Sequence, residues 1–126
     1  MIVGLGIDTV GIARVRQIIT RHGARFLGRW FDPAEAAYIT AHADGAERAA
    51  VRWAAKEAAA KALGTGFAGG IVPSQISVLP GPGGTPLLHL AGAARTRADA
   101  LGATRLHVSL SHADGAAVAV VILEKP

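Results

Sequence analysis

The spacing of apolar residues predicts a strand and then a helix at the start of the chain. Residues 2–7 are apolar and punctuated by glycine, which is typical of a buried strand that leads into a turn near Asp8 and Thr9. Apolar residues then recur at helical spacing, at Ile12, Val15 and Ile19. These three positions would face the core, and Gly23 would end or bend the helix.

Two further helices are predicted between residues 32 and 63. Asp32, Pro33 and Glu35 form the pattern of a helix start, with Asp32 as the N-cap and Glu35 completing a capping box. This short helix would run to about residue 41. Residues 46–63 are rich in alanine and lack glycine and proline, which favours a long helix that stops at Gly64.

The second half of the chain changes to the period of strands. Residues 76–79 and 87–90 flank a segment rich in glycine and proline, which predicts a β-hairpin. Residues 93–101 predict a helix closed at Gly102. Apolar and polar residues alternate from 106 to 111, as in a strand with one solvent-facing or functional face.

The last predicted strand, residues 116–123, is almost wholly apolar, so both of its faces should be covered. A second subunit could supply that cover. A central position in the sheet of a single subunit explains the same pattern, and the sequence leaves the two alternatives open.

Composition indicates one globular domain over residues 1–126, because half of the residues are hydrophobic and the length suffices for one core. The chain has no cysteine, which excludes disulfides and thiolate metal sites. No leader-like segment and no run of about 18 apolar residues occurs. We therefore predict a soluble cytoplasmic protein with no membrane partner.

The net charge of +4 would permit binding to nucleic acid. Aromatic residues make up only 5% of the chain, however, and no base-stacking motif is present. We therefore predict no nucleic-acid partner. An acidic protein or a phosphorylated small molecule accounts for the same excess of positive charge.

Asp8 and Glu57 are candidates for a shared magnesium site. Magnesium prefers oxygen ligands and is commonly held by one or two carboxylates together with the phosphates of a substrate. Each acid also has a structural alternative. Asp8 could cap the next helix, and Glu57 could form an ion pair with Lys61, four residues further on.

Basic residues and glycines near Glu57 suggest a phosphate-binding surface. Arg48, Arg52 and Lys56 are spaced by four residues, so they repel one another on a helix unless an anion neutralises them. The segment Gly64-Thr65-Gly66 would offer amides and a hydroxyl to phosphate oxygens. A solvated basic face and a plain helix C-cap are the alternatives.

Other motifs are weaker. The side chains of His107, Ser109 and Ser111 share one strand face beside His112, but no GxSxG motif or orienting acid supports a Ser-His nucleophile. The histidines also lack the spacing of a zinc site. The GLGIDT segment lacks the third glycine of a dinucleotide fingerprint, so we reject that interpretation.

Three segments, in order, resemble the holo-acyl-carrier-protein synthase family, the small-subunit class of 4′-phosphopantetheinyl transferases: GLGIDTVGIARV, RWAAKEAAAKALGTG and HVSLSHADGAAVAVVIL. The match spans essentially the whole chain. It implies an α+β fold in which a short N-terminal strand, helices and an antiparallel sheet form one domain. It also implies a homotrimer with active sites at the subunit interfaces.

The resemblance further implies an activity. The enzyme would transfer the phosphopantetheinyl arm of coenzyme A, its co-substrate, to a serine of apo acyl carrier protein and release adenosine 3′,5′-bisphosphate. Mg²⁺ would be the cofactor. Because the attacking serine belongs to the partner, no nucleophile is expected in this chain.

Carried over by position, the resemblance makes Asp8, Glu57 and Lys61 catalytic, with both acids binding Mg²⁺ and Lys61 contacting the phosphates. Arg52 and His107 would lie near the 3′-phosphate of coenzyme A. The residues that would bind coenzyme A are Arg52, Lys61, Gly64, Thr65, Gly66, Gly84, Pro86 and His107. The base that deprotonates the serine stays open among Asp8, Glu57 and a magnesium-bound water.

The first helix resembles the family's docking helix for the acidic carrier protein, and charge there would steer association. Its predicted contacts are Arg14, Ile18, Arg21, Arg25, Phe26 and Arg29. One departure is Gly11, where many relatives carry an acid, so water would complete the magnesium shell. A non-catalytic basic module that binds coenzyme A, a nucleotide or an acidic protein is the alternative function, although binding alone does not need both Asp8 and Glu57.

Overall fold

An alanine-rich helix, α4 (Gly45–Ala62), lies at the centre of the fold in a computed structural model that describes residues 1–126. Its many small side chains let neighbouring elements pack closely against it on several sides. The other helices are α1 (Ile12–His22), α2 (Ala24–Trp30), α3 (Pro33–Thr40) and α5 (Gly92–Ala100). The strands are β1 (Ile2–Gly11), β2 (Ile76–Pro80), β3 (Pro86–Leu90), β4 (Arg105–Ala113) and β5 (Ala116–Glu124).

The strands form two antiparallel sheets, one with the order β1-β5-β4 and the other the β2-β3 hairpin. The α+β class, the long helix and the hairpin are confirmed. Two clusters of buried residues share α4: one joins it to the hairpin, α5 and β5, and the other joins it to α1, α2 and α3. None of the helices is long and apolar enough to cross a membrane.

Strand β1 continues past Asp8, so the turn predicted near Asp8 and Thr9 is wrong. The pairing with β5 runs on to Gly11 opposite Ala116, because β5 is long enough to hydrogen-bond the whole of β1. Helix α1 then starts directly at Ile12. The extension matters for function because it holds Asp8 in regular strand geometry.

The chain between α1 and α3 differs from the prediction in one element and one side chain. Gly23, at φ 48°, ends α1 as expected, but a short helix, α2, follows it and was not predicted. Asp32 caps α3 by accepting a hydrogen bond from the Glu35 amide at 2.8 Å. The Glu35 side chain does not complete the capping box, because it turns into the core to pair with Lys56.

Strand β5 is the central strand of its sheet, as one of the two explanations of its apolar sequence requires. Ala117, Ala119, Val121 and Leu123 are buried on the inner face. The alternate residues of β5 are only half-buried, so a single chain covers one face and leaves cover of the other face by a second subunit open.

Two glycines of β1 let α4 lie directly on the sheet. A Cβ atom on Gly4 would come within 2.2 Å of the Ala62 carbonyl oxygen, and one on Gly6 within 1.9 Å of the Ala58 carbonyl oxygen. No side chain fits at those distances. Because Gly4 meets Ala62 and Gly6 meets Ala58, α4 runs antiparallel to β1, and Asp8 lies further toward the helix N-terminus.

Candidate functional site

Asp8 and Lys61 meet where β1 crosses α4. Asp8 follows Gly4 and Gly6 on the inner face of the sheet, since alternate residues share a face. Lys61 Nζ donates to Asp8 Oδ1 and to the Ile7 carbonyl oxygen, each over 3.0 Å. Asp8 therefore does not cap α1, whose N-cap is Gly11. The Lys61 side chain is 56% exposed, so this ion pair is weak and its ammonium can move to another anion.

Glu57 lies one turn before Lys61 on the same side of α4. Helical side chains tilt toward the N-terminus, which here is the direction of Asp8. Glu57 Oε1 accepts a hydrogen bond from Trp53 Nε1 over 3.1 Å. The alternative of a Glu57–Lys61 ion pair does not occur, because Lys61 pairs with Asp8.

The two carboxylates form a donor set that suits Mg²⁺. Residues 1–126 contain no cluster of three His, Cys, Asp or Glu side chains arranged to hold a metal. Magnesium does not need one, since one or two carboxylates with water and phosphate oxygens commonly complete its shell. Asp8 and Glu57 each have one carboxylate oxygen that accepts no hydrogen bond within the chain.

A cavity of about 270 Å³, lined by two arginines and two acids, lies on another side of α4, between the helix, the β2-β3 hairpin and the end of β4. Three predicted coenzyme A contacts, Arg52, Gly84 and Pro86, line it together. Six other polar or aromatic residues that the sequence did not single out for coenzyme A line it as well: Tyr38, Asp44, Glu47, Arg48, Ser111 and His112.

Arg52 is built into the wall of this cavity. Its Nε donates to the Val78 carbonyl oxygen over 3.0 Å, and its Nη1 donates to the Arg48 carbonyl oxygen over 3.3 Å. The guanidinium lies 4.5 Å from the centre of the Tyr38 ring. Burial lowers the pKa of Arg52, although the group remains a cation at neutral pH.

Arg48 supplies a second guanidinium at the mouth of the cavity. It donates to Asp44 Oδ1 over 2.8 Å and to the Tyr38 hydroxyl over 2.6 Å. The hydrogen bond between Arg48 and Asp44 raises the pKa of Arg48 and lowers that of Asp44. The prediction that Arg48, Arg52 and Lys56 form one cationic stack is wrong for Lys56, because Lys56 is wholly buried against Glu35.

His107 lies away from this cavity. It is on the outward face of β4 opposite Ile122, and its Nε2 lies 2.9 Å from Glu124 Oε1, which lowers the pKa of Glu124. His112 is five residues further along the strand, so its side chain lies on the opposite face. Within one chain, therefore, the structure brings His112 to Arg52 and does not bring His107 there.

The glycine segment after α4 serves first as a helix end. Gly64 and Gly66 have positive φ angles of 79° and 59°, and their amides donate to the carbonyl oxygens of Lys61 and Ala60. Both glycine amides thus already donate hydrogen bonds within the chain and are not free to bind phosphate. Thr65 remains as the polar residue of the segment that lines a shallow groove of about 410 Å³ beside α5.

The predicted docking residues share one surface on α1 and α2. A groove of about 460 Å³ contains Arg14, Ile18, Arg25, Phe26 and Arg29, together with Trp30 and Trp53, and no acid lines it. Arg21 lies in the adjoining hollow along α1. We call this the α1–α2 groove. Its apolar floor and three arginines make it suited to an acidic, amphipathic helix.

Comparison with known proteins identifies the class. Residues 4–121 match the profile of the 4′-phosphopantetheinyl transferase superfamily. The chain therefore belongs to that superfamily of transferases. Over 124 residues it is 49% identical to the holo-[acyl-carrier-protein] synthase of Koribacter versatilis (strain Ellin345), covering 98% of this chain and 99% of that protein. The family resemblance of the three sequence segments is thus confirmed.

Solved structures agree. The crystal structure of holo-[acyl-carrier-protein] synthase from Neisseria meningitidis superposes with a TM-score of 0.90 at 31% identity, covering 99% of this chain and 100% of that one. The Helicobacter pylori holo-[acyl-carrier-protein] synthase in complex with coenzyme A superposes with a TM-score of 0.83 at 32% identity, covering 95% and 99%.

Proposed function

We propose that this chain transfers the 4′-phosphopantetheinyl arm of coenzyme A to a serine of an apo acyl carrier protein, with Mg²⁺ as cofactor and adenosine 3′,5′-bisphosphate as the second product. The names of its relatives and the coenzyme A complex of one of them support this activity. The observation that carries the proposal is the Asp8–Lys61 pair where β1 crosses α4, with Glu57 one helical turn before Lys61. A binding module has no need for two acids there.

Coenzyme A is assigned to two places by charge. The cavity around Arg52, Arg48 and His112 suits the adenosine and its 3′-phosphate, because it combines guanidinium groups with the Tyr38 ring and the Gly84–Pro86 turn. Lys61 and Thr65 suit the pyrophosphate.

Arg52 and Lys61 are nine residues apart on α4, which at 3.6 residues per turn places them about half a turn out of phase, on opposite sides of the helix. This arrangement supports a site between two copies. We propose that a coenzyme A molecule which touches both places lies there, with the cavity of one copy facing the acids of the next.

The outward face of the β1-β5-β4 sheet supports such an assembly. Leu5 and Ile7 are 65% and 57% exposed, and Val120 and Ile122 of β5 extend the same apolar face. Contiguous exposed apolar surface of this kind marks an interaction site. We propose that three copies associate through this face, which would also bring His107 to a subunit boundary.

In the proposed mechanism, the serine oxygen of the carrier protein attacks the phosphorus that bears the pantetheine arm, and the bond from that phosphorus to the departing adenosine bisphosphate breaks. Asp8 and Glu57 would hold Mg²⁺, which neutralises charge on the pyrophosphate. Lys61 donates to phosphate oxygens, and the α1–α2 groove orients the carrier protein. The serine proton passes to Asp8, to Glu57 or to water.

The proposal is tested by incubating the protein with apo acyl carrier protein, coenzyme A and Mg²⁺ and measuring the intact mass of the carrier. We expect a gain of one phosphopantetheinyl group, which EDTA prevents. An unmodified carrier, while a validated synthase modifies the same preparation, would reject the transferase. Coenzyme A binding that is insensitive to EDTA would then favour the non-catalytic module. The cytoplasmic location and the absence of nucleic-acid and membrane partners stay predictions.

A further inference from the structure

Trp53 is the only side chain that hydrogen-bonds the Glu57 carboxylate. Its indole Nε1–H donates to Glu57 Oε1 over 3.1 Å, one helical turn away on α4. An indole N–H donates and cannot accept, so in this hydrogen bond Glu57 is the acceptor. The other oxygen, Oε2, accepts no hydrogen bond within the chain.

The Trp53 ring is itself held by the α1–α2 groove. Trp53 is 8% exposed, with the Trp30 ring centre 4.6 Å away and that of Phe26 5.7 Å away. The Arg14 guanidinium lies 5.5 Å from the centre of the Trp53 ring. Aromatic packing and a cation over the ring restrict its orientation. The indole N–H is therefore aimed by the same residues that line the surface proposed to dock the carrier protein.

We propose that Trp53 is a positioning residue, which holds Glu57 with Oε2 turned toward Asp8 and joins this carboxylate to the α1–α2 groove. The inference rests on the proposed function. Partners of a metal-binding carboxylate orient it and tune its binding, and their loss typically costs about 10- to 100-fold in metal affinity or activity. Trp53 has the geometry of such a partner, and its ring faces Arg14 on the docking side.

Trp53→Phe is the decisive variant, because it removes the N–H donor and keeps an aromatic ring in the groove; Trp30→Phe matches its loss of side-chain volume. We expect kcat to fall roughly 10-fold and the Mg²⁺ concentration for half-maximal rate to rise by a similar factor. The KM for carrier protein should stay within about twofold, since the groove keeps its shape. Trp30→Phe is the matched control: it changes the other tryptophan of the same cluster, which does not contact Glu57, and should leave the Mg²⁺ requirement unchanged.

A second readout does not depend on turnover. The chain has two tryptophans, so its NMR spectrum contains two indole N–H resonances, and Trp30→Phe assigns the one from Trp53. That resonance should shift in Glu57→Ala. It should also shift when Mg²⁺ and coenzyme A are added to the wild-type protein without a carrier.

The inference is overturned if Trp53→Phe retains the wild-type kcat and Mg²⁺ requirement, or if the Trp53 resonance is the same in Glu57→Ala. Wild-type protein that transfers nothing would reject the proposed function itself. Active wild-type protein with an unaltered Trp53→Phe variant would reject the positioning role alone.

Discussion

Lys56 Nζ lies 2.7 Å from Glu35 Oε1, and both side chains are wholly buried. Lys56 also donates to the carbonyl oxygens of Pro73 and Ile76, and Glu35 Oε2 accepts from the Val78 amide over 2.8 Å. The pair therefore ties α4 and α3 to β2, one of the two strands of the hairpin that lines the cavity around Arg52. Every charge-bearing atom of the pair has a partner, which is what allows two charges in the core.

Removing one member of this pair should destabilise the protein strongly. Lys56→Met leaves a carboxylate buried without a counter-charge, and we expect the free energy of unfolding to fall by about 3–5 kcal/mol. Urea unfolding followed by circular dichroism measures it. Arg95→Met breaks an exposed pair with Asp99 on α5 and should cost less than about 1 kcal/mol. Equal losses of unfolding free energy in the two variants would mean that the buried pair stabilises the protein no more than the exposed pair does.

The stability of the same variant should depend on pH more steeply than that of the wild type. Burial raises the pKa of Glu35, and the charge of Lys56 acts in the opposite direction. Without Lys56, the folded protein holds a proton on Glu35 at pH values where the unfolded chain has lost it. Stability of Lys56→Met should therefore fall as pH rises from the usual glutamate pKa, about 4.3, through the raised folded-state pKa. A deficit relative to wild type that is as large at pH 5 as at pH 8 would contradict this assignment.

The two acids should be needed for turnover and not for folding. Asp8→Ala and Glu57→Ala should each lower kcat at least about 100-fold, because each removes a proposed magnesium ligand, while thermal unfolding changes little. Asp99→Ala, an exposed acid on α5, is the control and should retain full activity. Intact-mass kinetics of carrier modification provides the measurement. Activity retained in either variant would remove that carboxylate from the site.

Variants of His107 and His112 on β4 distinguish the coenzyme A contact that the family resemblance implies, His107, from the one that lines the cavity, His112. His112 lines the cavity with Arg52, so His112→Ala should raise the KM for coenzyme A roughly 10-fold, as expected for the loss of a charge-assisted contact to phosphate. His107→Ala should have the smaller effect, because His107 pairs with Glu124 in its own chain and would reach coenzyme A only across the proposed subunit boundary. The reverse order of effects would restore His107 as the residue nearest the 3′-phosphate.

Local patterns predicted the elements of this fold, and long-range contacts decided where the prediction failed. The alanine run of α4 and the hairpin around residues 81–85 carry their signals within a few residues, so both were predictable. The turn at Asp8 was wrong because β5, more than 100 residues away, pairs with β1. Glu35 was assigned to a helix cap because its partner Lys56 is 21 residues further on.

For the site residues as well, sequence signals predicted candidates and long-range contacts decided which of them meet. The Asp8, Glu57 and Lys61 set came from the family resemblance, and the structure then placed Asp8 beside Lys61. Tyr38 escaped notice because no motif marks it, whereas the spacing of Arg48 and Arg52 had indicated an anion site. The alternation of Leu106, Val108 and Leu110 predicts that His112 shares their inward face, but only the structure shows that this face meets the cavity there.

The half-turn between Arg52 and Lys61 on α4 yields a test of the shared site. If each site combines the cavity of one copy with the acids of another, Asp8→Ala and Arg52→Met damage different sides of it. When the two variants are unfolded and refolded together, some sites should then combine the wild-type cavity of one variant with the wild-type acids of the other. Random mixing should make up to about a quarter of all sites intact in this way. Asp8→Ala refolded with Glu57→Ala is the matched control, because both changes strike the same half and no mixture restores it. Recovery of activity in the first mixture alone, measured by carrier modification, would establish a site between subunits; no recovery in either would place the whole site within one chain.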